Sequence, residues 1–515
     1  MADRTILNRP TKNAYDMMTN AGTHAAAASA AGGLNSAAQR AAAHYRRTAL
    51  SPSIVSGGLR LAEFALLVAS GLVLFVAYVG LSTHLVVHYP AAIVLASALA
   101  VIASDFAGNY RLRILRQPFL STARFVLIWS GTLALVAFLG FFLKIASDFS
   151  RFWAGAWFLT GTALVLGGRL VMARLARRWA QEGRMERRAV IVGGGAAAER
   201  LIRSIVQQPD NDIRICGIFD DRNDDRSPPI VAGYPKLGNI GELLAFARIA
   251  HIDMLIVSLP VAAESRLLSL MKKLWVLPVD IRLAADNSGL RYRPRTYSYI
   301  GSLPMLDMAD KPIADWDYVA KRCFDIVFSI LGIVMFLPVM IAAAVAIKLD
   351  SKGSVLFRQK RLGFNNEVIE VFKFRSMYID QCDPTARNAV ARNDPRVTRV
   401  GRFIRKASID ELPQFFNVLR GELSLVGPRP HAVSGQTHHR LYHDVVDGYF
   451  ARHRVKPGVT GWAQINGWRG EIDSDEKIRM RTEFDLYYIE NWSLWFDLKI
   501  LLLTPLRLLD TKNAY

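Results

Sequence analysis

Residues 326–347 read IVFSILGIVMFLPVMIAAAVAI, and this run decides how the second half of the chain meets a membrane. It is uncharged and long enough to cross a hydrocarbon core of roughly 30 Å as a helix, so a full span is one interpretation. Two features favour another: basic residues lie on both sides, as in cytoplasmic loops, and Pro338 bends or breaks a helix. We therefore predict a re-entrant membrane helix over residues 316–350, bent at Pro338. The flanking basic residues are Lys321, Arg322, Lys348, Lys352, Arg358, Lys360 and Arg361.

The composition indicates a membrane component and polyanionic partners. The 515 residues include 64 Lys and Arg against 44 Asp and Glu, a net charge of +20, and 51% of them are hydrophobic. Such a charge fits anionic lipid or phosphorylated substrates. A nucleic-acid binder is disfavoured because the positive charge follows the membrane flanks. The three cysteines form no C-x-x-C spacing, so neither a disulfide framework nor a thiolate zinc site is expected.

Four apolar stretches in the first half of the chain predict a transmembrane helix bundle over residues 58–175. Arginines cluster before the first stretch, between the second and third, and after the fourth, so both ends of the bundle are expected in the cytoplasm. Residues 1–57 are rich in Ala, Ser, Gly and Asn and predict a disordered cytoplasmic tail. The four stretches are 59–81, 86–106, 120–144 and 152–171.

Residues 186–311 alternate short β-branched runs with helical stretches, which predicts a parallel, doubly wound sheet of the Rossmann type, similar to CoA- or nucleotide-binding domains. Gly193 and Gly195 fit the glycine turn after the first strand. Asp220 ends the second strand, where a ribose-binding acid would lie. A nucleotide site at these residues, and a domain that uses the glycines only for tight packing, fit the pattern equally well.

Residues 351–515 form the last predicted domain, and they are dense in Arg, Gly and short polar motifs. The stretch ASIDELPQ, residues 407–414, places Asp410 and Glu411 side by side in this basic region. A capping box that starts at Ser408 is the alternative, but it would put Pro413 where a backbone N–H is required. Pro413 suits a first turn instead, which leaves both carboxylates at the positive end of a helix. The last apolar stretch, with Trp495, suits a helix in the membrane interface.

The motifs KFRSM, DELPQ, LVGPRP and PGVTGWAQINGWRGE occur in this order, and residues 321–511 resemble the monotopic phosphoglycosyl transferases. These are the polyprenyl-phosphate hexose-1-phosphate transferases that begin bacterial exopolysaccharide, capsule and O-antigen assembly. The bundle and the Rossmann-like insert resemble the large form of the family. The expected fold is thus a membrane α-helical bundle, an α/β Rossmann-like cytoplasmic domain, and an α/β monotopic catalytic domain with a re-entrant membrane helix.

The resemblance implies a mechanism for the acidic pair. Asp410 would attack the β-phosphate of a UDP-hexose, release UMP, and hold the sugar phosphate until undecaprenyl phosphate displaces it. UDP-glucose is the commonest donor among relatives, and UDP-galactose is the second. Glu411 would bind Mg²⁺ and position the phosphates. The enzyme would lie in the bacterial inner membrane, among its lipids, with the catalytic domain on the cytoplasmic face, and a homodimer is left open.

Basic side chains near the pair are candidates for holding phosphate oxygens, because arginine offers them bidentate hydrogen bonds. Two other functions compete with the transferase. A membrane-tethered nucleotide-sugar dehydratase or epimerase needs a Tyr-x-x-x-Lys pair, which the sequence lacks. A non-catalytic scaffold for polysaccharide export would bind nucleotide without releasing UMP. The phosphate-binding candidates are Lys373, Arg375, Arg399, Arg402 and Arg429.

Overall fold

In the computed structural model the protein forms two compact units, Arg47–Arg187 and a second made of Met1–Arg46 with Arg188–Tyr515. Most of the predicted N-terminal tail, residues 1–33, lies outside the part of the chain that the structure describes. The structure describes residues 34–508 except 46–50, 81–84, 111–113, 115–117, 143, 145–147, 182–185, 209–212, 223–226, 260–263, 285–297, 301–302, 380–393, 432–435, 438–439, 447, 469, 471 and 473.

The predicted disordered tail, residues 1–57, contains a folded segment, so this prediction is wrong for residues near its end. Helix α1, Ser36–His44, begins after Asn35, whose side chain accepts a first-turn backbone N–H at 2.8 Å. Its alanines recur at helical spacing and pack into the core of the Rossmann-like domain. The sequence gives little indication of this helix because alanine carries little hydrophobic signal, although its small side chain permits close approach. The buried residues of α1 are Ala38, Ala41 and Ala42.

The four predicted spans correspond to four long helices that make up the first compact unit. By length and composition each could cross a membrane. Their shared core is aromatic: Trp129 and Trp157 are buried with ring centres 5.0 Å apart. The indole N–H of Trp157 donates to the carbonyl of Leu67 at 3.0 Å, so this buried polar group has a partner. The helices are α2 (Pro52–Leu74, continued by a π-helical turn, Phe75–Val79), α3 (Leu85–Phe106), α4 (Pro118–Phe142) and α5 (Arg151–Gln181).

In its described residues, the domain predicted to be Rossmann-like contains eight strands and three helices. The strands are β1 (Arg187–Val192), β2 (Ile213–Phe219), β3 (Ile230–Val231), β4 (Tyr234–Gly238), β5 (Met254–Val257), β6 (Asp280–Ala284), β7 (Ser298–Ile300) and β8 (Leu303–Ala309). The helices are α6 (Ala196–Val206), α7 (Ile240–Ile249) and α8 (Glu264–Leu274).

These strands form one sheet in the order β3-β4-β2-β1-β5-β6-β8-β7. The pairs β1–β5, β5–β6 and β2–β4 are parallel, as the sequence predicts. The pairs β3–β4, β6–β8 and β7–β8 are antiparallel, so the sheet is mixed and not wholly parallel. Chain length explains two of these pairs, because only two residues separate β3 from β4 and β7 from β8, too few for a parallel crossover.

Helix α9, Asp315–Asp350, contains the apolar run and stays helical through Pro338, so the chain is not broken there and the predicted bend concerns only the direction of the helix axis. A proline removes one helical hydrogen bond, but helices at membrane depth tolerate this loss. One face of α9 carries exposed apolar side chains. On another face Gly332 contacts the ring of Phe415, and the absence of a side chain at Gly332 allows this approach.

Both ends of α9 are bound by the region that follows it, residues 351–515, which the sequence predicts to be the catalytic domain and which is called the catalytic region below. Near the start, the Lys321 ammonium donates to the Val426 carbonyl at 2.9 Å and to the Asp497 carboxylate at 2.7 Å. At the end, the Asp350 carboxylate accepts the backbone N–H of Val400 at 3.1 Å. Lys321 and Asp497 are both buried, so their charges compensate each other away from water.

The catalytic region combines a β-hairpin, short strands and helices around an apolar cluster that includes Val371, Val418 and Ile489. The strands are β9 (Leu356–Leu362), β10 (Val368–Phe374), β11 (Ser424–Val426), β12 (Gln436–Thr437), β13 (Arg440–Leu441) and β14 (Gly458–Thr460). The helices are α10 (Arg399–Lys406), α11 (Gln414–Arg420), α12 (Tyr442–Val445), α13 (Trp462–Ile465), α14 (Asp475–Glu490) and α15 (Leu494–Leu508). On α15, the side chains of Trp495, Leu502 and Leu506 are exposed.

Candidate active site

The acidic pair lies in one 3-10 turn, Ile409–Glu411, between α10 and α11. Ser408 before it has a left-handed φ of 57° and makes no capping hydrogen bond, so it does not form the capping box. Pro413 directly precedes α11, where no helical N–H is needed. Ile409 and Leu412 pack in an apolar cluster with residues of α9. These two side chains anchor the turn, while its two carboxylates meet basic residues.

Glu411 is held by two cations. Its Oε1 accepts from Lys373 Nζ at 3.0 Å and from Arg429 Nη2 at 2.5 Å, and its Oε2 accepts from Arg429 Nη1 at 3.1 Å. Burial alone would raise the pKa of Glu411, but Arg429 and Lys373 outweigh it and hold that pKa well below its ordinary value. Glu411 is therefore ionised across the physiological pH range.

Asp410, one residue earlier, differs from Glu411 in both pairing and pKa. Its carboxylate makes no hydrogen bond with any described residue. Burial raises the pKa of Asp410 to about 6, with Lys373 opposing the shift and Glu411 adding to it. At neutral pH the group is mostly ionised yet poorly solvated, so its oxygens are available as a nucleophile.

The two cations come from separate elements that the fold brings together. Lys373 lies on β10, opposite Phe357 of β9. Arg429 follows the turn at Gly427, where a side chain would collide with the Lys456 carbonyl, since an added Cβ would lie 2.6 Å from it. Close backbone packing thus requires a glycine at position 427 of the GPRP motif. The same packing places Arg429 within hydrogen-bonding distance of Glu411.

A buried ion pair lies behind Arg429. The Arg452 guanidinium donates to the Asp485 carboxylate at 2.5 and 3.1 Å, and to the Arg429 carbonyl at 2.8 Å. His431 accepts from Arg452, and burial, followed by the Arg452 charge, holds the pKa of His431 well below its usual value. A neutral imidazole can accept this hydrogen bond, so the pair fixes the chain segment that carries Arg429.

The structure brings Lys373 and Arg429 to the acidic pair but not the other three phosphate-binding candidates. Arg375 is buried and donates to the Ser351 carbonyl at 2.8 Å and to the Ser351 hydroxyl at 3.0 Å, so it supports the loop after α9. Arg399 and Arg402 are exposed on α10 and have no hydrogen-bonding partner among the described residues.

Two further arginines near the pair were missed. Burial, together with the neighbouring Arg429 charge, lowers the pKa of Arg361 to about 10, and Glu411 opposes that shift. Arg405 on α10 acts on Asp410 through its charge and lowers its pKa. Both lie in basic motifs of the sequence, but a sequence does not indicate which arginine of a run faces inward.

The acidic pair fits a magnesium ion that arrives with a diphosphate. No group of three or more His, Cys, Asp or Glu side chains suited to a metal occurs in the described part of the chain. Mg²⁺ usually takes only one or two carboxylates plus substrate phosphates. Oε2 of Glu411 accepts one hydrogen bond from the described residues and therefore has a spare lone pair for the ion.

The glycine turn of the Rossmann-like domain is closed by its own acid. Gly193 and Gly195 both have positive φ, 99° and 79°. The Asp220 carboxylate accepts the N–H of Gly194 at 2.7 Å and that of Arg222 at 3.1 Å. The adjoining cavity measures about 70 Å³, well below the roughly 300–1,000 Å³ of ordinary ligand pockets. Asp220 thus accepts the backbone N–H of Gly194, the group that would otherwise donate to a bound phosphate.

Comparisons with known proteins bear on both domains. A family described as bacterial sugar transferase matches residues 316–511, and one described as CoA-binding domain matches residues 105–285. The first match contains the acidic pair and its cations. The second contains the glycine turn.

Three relatives match over much of the chain. The UDP-glucose:undecaprenyl-phosphate glucose-1-phosphate transferase of Xanthomonas campestris is 33% identical over 75% of this chain and 80% of its own length. The protein of the same name from Escherichia coli K12 is 37% identical over 71% and 76%. The undecaprenyl-phosphate glucose phosphotransferase of Komagataeibacter xylinus is 41% identical over 64% of this chain, and the match spans 61% of that relative.

Proposed function

The chain belongs to the bacterial sugar transferases, the polyprenyl-phosphate hexose-1-phosphate transferases, and on this premise we propose that it transfers glucose 1-phosphate from UDP-glucose to undecaprenyl phosphate. UMP is the other product. Two relatives matched over most of their length are named for this donor and acceptor. We further propose that the reaction starts an exopolysaccharide at the cytoplasmic face of the inner membrane.

One observation carries the proposal: the unpaired Asp410 stands beside the doubly paired Glu411. A carboxylate neutralised by Lys373 and Arg429 is a poor nucleophile, because its lone pairs accept their hydrogen bonds. Asp410 has no such partner, and its pKa, raised to about 6 by burial, marks a carboxylate that is weakly solvated. The roles are therefore divided, with Asp410 as nucleophile and Glu411 as the group that positions cations.

The proposed reaction has two displacements at the same phosphorus. An Asp410 oxygen bonds to the β-phosphorus of UDP-glucose, the bond to the bridging oxygen breaks, and UMP leaves with that electron pair. The aspartyl-phosphosugar is then attacked by a phosphate oxygen of undecaprenyl phosphate, which restores the free carboxylate. Lys373, Arg429 and Arg361 supply positive charge to the phosphates during both steps.

Magnesium is the proposed cofactor. Glu411 Oε2 would hold the ion together with diphosphate oxygens. When bound, Mg²⁺ would offset the repulsion between a carboxylate and an anionic substrate.

The contacts of α9 support a re-entrant topology. Lys321 at its start, Gly332 in its middle and Asp350 at its end all contact the catalytic region. A helix that crossed the bilayer would have its two ends separated by roughly 30 Å of hydrocarbon, and one polar domain could not bind both ends. On the opposite face, Val334 and Ile341 are 67% and 56% exposed, which suits contact with lipid chains.

A trapping experiment tests the covalent step. The full chain is reconstituted in nanodiscs with Mg²⁺ and UDP-glucose labelled with ³²P at the β-phosphate, without acceptor. We expect label on the protein, released as lipid-linked sugar when undecaprenyl phosphate is added, and none on Asp410→Asn. Normal transfer by this variant would rule out Asp410 as nucleophile, and nucleotide binding without UMP release by the wild type would indicate a scaffold.

A further inference from the structure

A groove on the catalytic region is separate from the acidic pair. It lies between the β9–β10 hairpin and α11 and has a volume of about 520 Å³. Its walls are apolar, and its rim carries two arginines. The residues that line it include Leu356, Arg358, Phe372, Phe416, Leu419 and Arg420.

The two arginines of the groove converge on one aromatic ring. The guanidinium carbons of Arg420 and Arg358 lie 4.7 and 5.6 Å from the ring centre of Phe372. The two charges are therefore within about 10 Å of each other, the screening length at 0.1 M salt. Arg358 has one acidic neighbour, Glu370 at 3.5 Å, in an exposed pair of small energetic value. Arg420 has no acidic partner among the described residues, so the groove carries net positive charge.

The groove lies where both ends of the apolar helix meet the catalytic region. At one end, Arg322 of α9 donates to the Val418 and Leu419 carbonyls at 2.5 and 2.7 Å. At the other end, Ser354, which also lines the groove, lies four residues after the last residue of α9, Asp350. In a re-entrant topology both ends lie at the level of the lipid headgroups, so the groove does too.

The groove does not open on the reacting groups. Side chains alternate between the two faces of a strand, so Phe372 and Lys373 of β10 point to opposite faces of the hairpin. Lys373 binds Glu411, whereas Phe372 faces Arg358 and Arg420. A phosphate bound in the groove is thus not the phosphate that reacts.

We propose that this groove binds an anionic phospholipid, with Arg358 and Arg420 on the headgroup phosphate and an acyl chain along Leu356 and Phe416. Arginine suits phosphate because it offers paired hydrogen-bond donors, and the two apolar side chains, 45% and 40% exposed, offer a surface to the chain. The proposal rests on the re-entrant topology of the proposed function. It adds a lipid site that orients the catalytic domain on the membrane.

Native mass spectrometry of the full-length protein in detergent tests the site directly. The probes are phosphatidylglycerol and phosphatidylcholine. We expect phosphatidylglycerol to bind the wild type in preference to phosphatidylcholine, and the double variant Arg358→Gln/Arg420→Gln to bind it roughly tenfold more weakly. A double variant with the same charge change on the Rossmann-like domain, Arg203→Gln/Lys272→Gln, is the matched control and should bind as the wild type does.

Three results would overturn the proposal: equal binding of both lipids, equal binding by the groove and control variants, or displacement of phosphatidylglycerol by one equivalent of undecaprenyl phosphate. If the glutamine variant fails to fold, Arg358→Lys/Arg420→Lys keeps the charges and should retain most of the binding. Asp410→Asn separates this site from the proposed chemistry, because it should bind phosphatidylglycerol normally while releasing no UMP.

Discussion

Two turns in this chain place an acid beside groups suited to phosphate, and they use that acid in opposite ways. At the glycine turn of the Rossmann-like domain, Asp220 accepts two backbone N–H groups and is buried. At the turn before α11, Asp410 has no hydrogen-bonding partner among the described residues, although basic side chains surround it. An acid that satisfies its own turn stabilises the fold, whereas an acid left unpaired in a cationic site is available for chemistry.

The sharpest test of this contrast removes one charge from each turn. Asp410→Asn should lower lipid-linked sugar formation by about 10³-fold or more, because the amide cannot form the covalent intermediate. Asp220→Asn, the matched change, should leave the turnover rate within about twofold, since an amide oxygen can still accept the Gly194 N–H. Both are measured as UMP release at saturating UDP-glucose. Equal losses of activity in the two variants would contradict the different roles of Asp410 and Asp220.

The cations beside Glu411 provide the next test, because they distinguish the active turn from the glycine turn. Arg429→Met should lower kcat/KM by about 10²-fold, since it removes both a phosphate-directed charge and the bidentate partner of Glu411. Arg402→Met, on the exposed face of α10, should cost far less. Arg203→Met on α6 serves as a control for general charge loss. If Arg402→Met lowers kcat/KM as much as Arg429→Met does, Arg402 must contact the bound substrate, and the distinction between the two arginines is wrong.

How far the sequence predicts these sites depends on what each pattern encodes. The acidic pair, Lys373 and Arg429 are found from motifs, because Pro413 fixes the start of a helix and Gly427 fixes a close backbone approach. Arg375 belongs to an equally basic motif but supports the loop after α9. The inward direction of an arginine depends on long-range packing, here on the Arg452–Asp485 pair, which no local pattern reveals.

The fold shows the same division between local and long-range information. Helix spans and the central parallel strands follow from periodicity and length. The hairpins β3–β4 and β7–β8, and the docking of α1 through its alanines, depend on partners distant in the chain. The uninterrupted course of α9 through Pro338 also reflects its surroundings, because the proline rule describes helices in water.

The pH dependence of the reaction rate tests the role of Asp410 separately from that of Glu411. The pKa of Asp410 is raised to about 6, so kcat/KM should fall about tenfold per pH unit below 6 and reach a plateau above it, as the carboxylate gives up its proton. Glu411, with a pKa held well below its usual value, should not contribute in this range. A profile flat down to pH 5 would contradict the assignment.

The same raised pKa predicts an effect on stability, with the sign fixed by linkage. A buried acid with a raised pKa favours the folded state below its unfolded pKa and loses that contribution as pH rises through 6. Asp410→Asn should therefore melt at a higher temperature than the wild type at pH 7.5, and the difference should shrink at pH 5. The shift should amount to ~1 kcal/mol, allowing for partial solvation of the turn. A variant that melts lower at both pH values would mean that Asp410 is stabilising, like Asp220.

The smallest expected effect on the reaction rate comes from the glycine turn. Asp220→Ala leaves the Gly194 and Arg222 N–H groups without their acceptor, so the Rossmann-like domain should lose ~1–2 kcal/mol of stability. Hydrogen exchange at β1 and α6 should quicken, while kcat at 25 °C stays near the wild-type value. Adding UDP-glucose or CoA should not restore protection, because Asp220 acts as an internal acceptor and not as a ligand contact. Protection regained with either compound would mean that this turn holds a ligand after all, and the two acids would then differ in substrate and not in role.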